Sequence, residues 1–163
     1  MNAAFGEALI GRLPALRRYA LSLARRADVA DDLVQITVER AIAAADSYDP
    51  ASRLDPWLFR ITRNAFIDMT RRQRTRGIEV DVFDMPQALP TDGQRQIEGR
   101  LMLRATAAAM RTLPPEQREI LSLVCVHELS YAEAAEILQI PTGTVMSRLS
   151  RARLALARKL GIE

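Results

Sequence analysis

A serine followed three residues on by a glutamate, a proline-broken turn and a second amphipathic helix lie in one run, residues 113–160, and leave that run few ways to fold. Ser130 and Glu133 form a capping box, in which hydroxyl and carboxylate satisfy the orphan amides at a helix start. Ala134, Ala135, Ile137 and Leu138 supply the apolar side of this short helix. The chain then turns through Gln139-Ile140-Pro141-Thr142-Gly143, because Pro141 cannot continue a preceding helix. From Thr144 onward Val145, Leu149, Ala152, Leu156 and Leu160 recur at helical spacing and are predicted to face inward. Met146, Ser147, Ser150, Arg151 and Arg158 are left outside. The plain interpretation is a helical hairpin with solvated arginines. Capping box, short first helix, proline turn and a serine-arginine second helix together favour a helix-turn-helix, whose second helix enters a DNA major groove.

The segments LPPEQREIL, LSYAEAAEIL and IPTGTVMSRLSRAR resemble, in order and spacing, the C-terminal promoter-binding domain of the extracytoplasmic-function (ECF) sigma factors, small sigma-70 family initiation factors of bacterial RNA polymerase. The resemblance implies that Thr144, Met146, Ser147, Ser150 and Arg151 approach the −35 promoter element, with Arg148 nearby. In the family a Lys or Arg usually follows Gly-Thr-Val, and here stands Met146. A methionine can touch a thymine methyl but cannot pair with guanine or neutralise a phosphate.

With 163 residues, 48% of them apolar and only 5% aromatic, the chain suits packed helices better than sheet, as one domain or two small ones. It has no apolar run long enough to span a bilayer, so membrane insertion is not expected. The opening MNAAFGEALIGRLPALRRYALSLARR looks superficially like a transit peptide, but Glu7 interrupts it, no cleavage site follows an apolar core, and its periodicity continues. Cys125, the single cysteine, excludes an internal disulfide, and with the lone His127 it cannot assemble a metal site. Both are expected in or beside a helix core, with a redox-sensing thiol as the sharper alternative for Cys125. No cofactor is expected, and no nucleophile-base pair or phosphate loop points to an enzyme.

The net charge of +3 is modest, but its distribution is not even. Arginines gather at positions 60, 63, 71, 72, 74 and 76, and again at 148, 151, 153 and 158; between Gly77 and Gln94 there is no basic residue, and the charged residues are the acids Glu79, Asp81, Asp84 and Asp92. Two basic blocks about an acidic bridge suggest two DNA contacts on a flexible tether.

A first helix is predicted over about Phe5 to Arg25, with Leu9, Leu13, Leu16, Ala20 and Leu23 inward and a kink at Pro14. A second is predicted from an Asp28 N-cap toward Ala45, with Asp31 and Asp32 favoured by the helix dipole. Those three acids read as helix-start charges rather than as a metal site. The segment ADVADDLVQITVERAI resembles the one with which sigma factors grip the coiled coil of the polymerase's largest subunit, which implies a docking face of Asp32, Leu33, Gln35, Ile36 and Glu39; by residues alone the face reads as solvent surface.

After a loop from Asp46 to Asp55, a helix is predicted from Pro56 to about Gln73, with Trp57, Leu58, Ile61, Ala65 and Met69 apolar. An aromatic and an amide among arginines suit the holding of single-stranded DNA, although Trp57 alone reads as core. WLFRITRNAFIDMTRRQR resembles the region-2 helix that melts and reads the −10 element. That likeness implies contacts from Asn64, Asp68 and the loop residues Ser47 to Arg53 to the displaced strand, with Arg60, Arg63, Arg71 and Arg72 tracking phosphates. Residues from Thr75 to about Gln96 read as a linker. A helix resumes at Ile97, and Pro114-Pro115 separates it from the next.

The expectation is an all-α protein of two small helical domains, a sigma region 2 type bundle over 1–75 and a sigma region 4 helix-turn-helix bundle over 97–163, joined by a flexible acidic linker over 76–96. The resemblance further implies a cytoplasmic, non-enzymatic factor whose partners are core RNA polymerase, promoter DNA and an anti-sigma factor. Rival readings are a dimeric helix-turn-helix regulator, which has no need of a strand-opening helix, and an adaptor that binds only protein.

Overall fold

The computed structural model describes residues 2–77 and 95–162, with side chains from 98 onward in the second stretch. Within these residues the regular structure is helical: α1 (Ala3–Ala24), α2 (Ala27–Ala43), α3 (Leu54–Thr75), α4 (Arg95–Arg111), α5 (Pro115–Leu121), α6 (Tyr131–Leu138) and α7 (Thr142–Leu160). One compact unit is built on α1–α3, and a second on α4, α5, α7 and the larger part of α6. Most of the predicted linker, residues 78–94, lies outside the described residues.

In the first unit α1, α2 and α3 pack mutually. Leu9, Leu16, Ala20 and Leu23 turn inward as their spacing predicts, and Tyr19 joins them, fully buried against Phe59 with ring centroids 4.8 Å apart. Asn2 caps α1 by accepting the Phe5 amide at 2.8 Å, and Pro14 lies inside the helix. Helix α1 ends where Arg25 takes a left-handed conformation (φ 64°) and its amide bonds to the Leu21 carbonyl.

Asp28 is not the cap of α2. Arg26 occupies that position, and Asp28 sits in the first turn, where the Arg26 guanidinium binds it in two contacts of 2.6 and 3.0 Å and holds its carboxyl below the usual range. Asp31 pairs with Arg17 at 2.9 Å. The charges of two of the three helix-start acids are thus met by arginine.

Helix α3 starts two residues before Pro56, at Leu54, and its inward face differs from the predicted one. Leu54, Leu58, Phe59, Thr62 and Ala65 are buried, while Trp57, Ile61 and Met69 are half-buried. A threonine can occupy the core because its hydroxyl reaches the carbonyl one turn back: Thr62 Oγ lies 2.9 Å from the Leu58 oxygen, and Thr37 Oγ 2.8 Å from that of Leu33. The two hydroxyls also meet at 3.2 Å between α2 and α3. Each has one proton, so when one donates across the interface the other donates to its own helix. Trp57 instead joins an aromatic cluster, 5.1 Å from Tyr48 and 6.1 Å from Phe5.

In the second unit α7 packs against α5 and α4. Pro115 opens α5, where a missing amide proton costs nothing. Arg118 is buried, and its guanidinium donates to the Leu113 carbonyl at 3.1 Å. A π-helical turn over Ser122–Val126 follows α5, closed by the His127 amide on the Ser122 carbonyl. The wider turn rotates the face: Leu123 points in, and Cys125 is exposed rather than in the core, with the Arg153 Nη2 3.9 Å from its sulfur. His127 is half-buried.

Candidate nucleic-acid interface

The capping box forms as its spacing dictates. The Glu133 amide donates to Ser130 Oγ at 3.1 Å, and the Ser130 amide donates to Glu133 Oε2 at 2.8 Å. Ala134, Ile137 and Leu138 of α6 are buried and Ala135 half-buried. The turn after α6 is shorter than predicted. Gln139 supplies the left-handed residue (φ 54°), Pro141 flanks α7 with extended backbone (φ −61°, ψ 149°), and Thr142 and Gly143 already belong to the helix. Proline's fixed φ suits this flanking position, so no glycine is needed to start α7.

Along α7, Val145, Leu149 and Ala152 are buried, and Leu156 and Leu160 half-buried. The opposite side presents Met146, Ser147, Ser150 and Arg151 as exposed side chains, with Thr144 half-buried at their edge. Arg148 departs from this set: it is half-buried, and its guanidinium lies 3.9 Å from Glu116 at the start of α5. The first amides of α7 have no side-chain cap. An uncapped helix start carries partial positive charge and suits a phosphate oxygen. At its far end α7 closes with Gly161 (φ 67°), the amides of Gly161 and Ile162 returning to the carbonyls of Arg158 and Ala157.

A second basic surface lies on α3. Arg60, Asn64, Asp68 and Arg71 recur at helical spacing along one stripe, with Arg72 beside it. Arg60, Asn64, Arg71 and Arg72 are exposed and Arg63 is half-buried. Asp68 is tied to Arg40 of α2, Oδ2 to Nη1 at 2.9 Å. Periodicity within a helix gave no sign of Arg40, because its partner is 28 residues away.

The loop before α3 is held by its own bonds. Ala45–Ser47 is a short 3-10 turn, Tyr48 Oη donates to the Ser52 carbonyl at 2.7 Å, and Asp49 Oδ1 accepts the Ala51 amide at 2.9 Å. Between this loop and the start of α1 opens a groove of about 810 Å³, bordered by Phe5, Ala8, Arg12, Asp46, Tyr48 and Pro50. Arg12 reaches Asp55, the second residue of α3, at 3.1 Å. Phe5 and Arg12 were not foreseen here, since only the fold brings the start of α1 to this loop.

On α2, Asp32, Gln35 and Glu39 are exposed along one side, with Gln35 Nε2 donating to Glu39 Oε1 at 3.2 Å and Ile36 half-buried beside them. Leu33 does not belong to that face. It has 0% exposure and faces the core. Among the described residues no three His, Cys, Asp or Glu side chains gather as a metal site, and no helix is long and apolar enough to cross a membrane.

An all-helical chain with a capped helix-turn-helix in one unit and an arginine-lined helix in the other is of the DNA-binding class. Family models for Sigma-70 region 2 and for Sigma-70, region 4 match residues 9–76 and 103–156. The ECF RNA polymerase sigma factor EcfG of Rhodopseudomonas palustris is 40% identical over 155 residues, spanning 95% of this chain and 84% of the relative. SigM of Bacillus subtilis, another ECF sigma factor, is 36% identical over 144 residues, 85% of this chain and 84% of that one. Among solved structures, the sigma factor RpoE of Bartonella quintana, crystallised with the anti-sigma factor NepR, superposes with a TM-score of 0.81 at 35% identity over 99% of each chain. The chain belongs to the ECF RNA polymerase sigma factors of the sigma-70 family. It therefore acts with RNA polymerase in promoter-specific transcription initiation, as a transcription regulator.

Proposed function

We infer that the two units divide the work of promoter recognition. Residues 97–163 bind the −35 element through the exposed side of α7, with Met146, Ser147, Ser150 and Arg151 on bases and phosphates and Thr144 at the edge. Arg148, turned toward Glu116, acts there as a support rather than a base reader. Residues 1–75 melt and hold the −10 element: Asn64, Asp68 and the loop Ser47 to Arg53 meet the displaced strand, while Arg60, Arg63, Arg71 and Arg72 follow its phosphates. Asp32, Gln35, Ile36 and Glu39 of α2 dock on the coiled coil of the polymerase's largest subunit. The linker of residues 76–96 joins the two contacts. The observation that carries this reading is the uncapped start of α7 beside an exposed Met146-Ser147-Ser150-Arg151 face, set by a formed capping box.

The protein works in the cytoplasm, where polymerase and promoter lie, and an anti-sigma factor holds it inactive. Two relatives of known structure carry such a partner: RpoE is bound by NepR, and CnrH, 29% identical with a TM-score of 0.68, by the cytosolic domain of CnrY. Transcription in vitro with core polymerase and a randomised promoter library tests the assignment. Two enriched elements are expected, the upstream one altered by Arg151→Ala and the downstream one by Asn64→Ala. Initiation without sequence enrichment, or none at all, refutes it.

A further inference from the structure

The Arg40–Asp68 pair joins the last turn of α2 to the middle of α3, and both side chains stay near 40% exposed, at 40 and 44%. A pair this open contributes little to stability. Its geometric effect is larger. Asp68 stands on the stripe with Asn64 one turn before it and Arg71 and Arg72 about one turn after it, where an unheld carboxylate would turn toward any of the arginines and repel an approaching phosphate. Arg40 comes from another helix, fixes one carboxylate oxygen at 2.9 Å and offsets the negative charge.

We propose that Arg40 is a positioning residue, which sets the Asp68 carboxylate to read the exocyclic amino group of an unpaired adenine or cytosine in the opened promoter strand. The inference rests on the assignment of α3 to the −10 element. An ionised carboxylate only accepts hydrogen bonds, through two oxygens. With one oxygen engaged by Arg40, the other accepts from the C6 amino group of adenine or the C4 amino group of cytosine. It opposes the carbonyl that guanine and thymine carry at those same ring positions, the guanine 2-amino group lying on the far side of its ring. Helical spacing places Asn64 one turn away, beside the neighbouring nucleotide.

The test uses the full chain with core polymerase on promoters whose −10 region is randomised one position at a time, so that preference and total output are read separately. The unaltered chain is expected to favour A or C over T or G at one position. Arg40→Ala is expected to reduce that preference by about two- to tenfold, the range set by loss of one aligned hydrogen bond. Arg40→Lys should restore part of it, since it keeps the charge but not the planar fork. Asp68→Asn should admit carbonyl bases at the same position, because an amide both donates and accepts. Unchanged melting midpoints separate these effects from a loss of fold, and Asp68→Asn provides the reading should Arg40→Ala fold poorly. An even fall in output across all bases for Arg40→Ala makes Arg40 a phosphate contact and overturns the proposal, as does an unaltered preference in both Arg40→Ala and Asp68→Asn. If the unaltered chain initiates with no preference anywhere in the −10 region, the assignment of α3 falls first and the inference with it.

Discussion

Leu33, at 0% exposure, is flanked on the same helix by the solvent-exposed Asp32 and Gln35, so neighbouring residues of α2 serve different ends. Leu33→Ala leaves a cavity in the core that α1, α2 and α3 share, and should cost about 2–5 kcal/mol. Urea unfolding measures it, and a loss below about 0.5 kcal/mol would contradict the burial. Asp32→Ala should leave unfolding within about 0.5 kcal/mol, as surface changes do, while weakening binding to core polymerase. Met146 offers a second contrast at this scale. It is 53% exposed, so Met146→Arg has room for its charge without repacking. One added phosphate contact should steepen the slope of log K against log salt by about 0.9 in promoter binding by the holoenzyme. An unchanged slope places residue 146 away from the DNA backbone.

At the scale of elements, α6 depends on its cap more than a longer helix would, because eight residues are too few to hold a helix by propensity. Removing either half of the reciprocal Ser130–Glu133 pair should cost about 1 kcal/mol, and the double substitution less than the sum, since each bond supports the other's geometry. Denaturant midpoints of Ser130→Ala, Glu133→Ala and the pair measure this, and strict additivity would mean two independent bonds. This box was legible from sequence because its partners are three residues apart and its chemistry is local. The inward set of α7 was legible for the same reason. What escaped was set by contacts between helices. Thr62 reads as polar until Leu58 and Thr37 supply its partners, and so the predicted face of α3 drifted toward Trp57 and Ile61. Cys125 was misplaced because one π-helical turn advances the face by a residue, and no composition signal announced it. Arg40 carried no signal at all. Gly143 drew the predicted turn too far, whereas the left-handed residue is Gln139, a type that sequence reasoning does not expect there.

For the molecule as a whole, a formal charge of only +3 limits what non-specific attraction can contribute, so the arrangement of charge matters more than its sum. Each unit presents exposed arginines, among them Arg71 and Arg72 on α3 and Arg151 and Arg153 on α7. If each unit holds its own part of one promoter, phosphate contacts add along a single salt dependence although the cores that present them are separate. Arg72→Ala and Arg151→Ala should each lower the slope of log K against log salt by about 1, and the double variant by about 2, when holoenzyme binding to one promoter is titrated with salt. Tethering makes this a demanding test. A second contact raises affinity through the effective concentration that the linker sets, so losing either unit weakens binding by more than its own contacts account for, while the count of released counterions still changes by one per arginine. A double variant whose slope matches either single one would mean that only one basic group meets DNA at a time, and the division of promoter recognition between two units would then have to be abandoned.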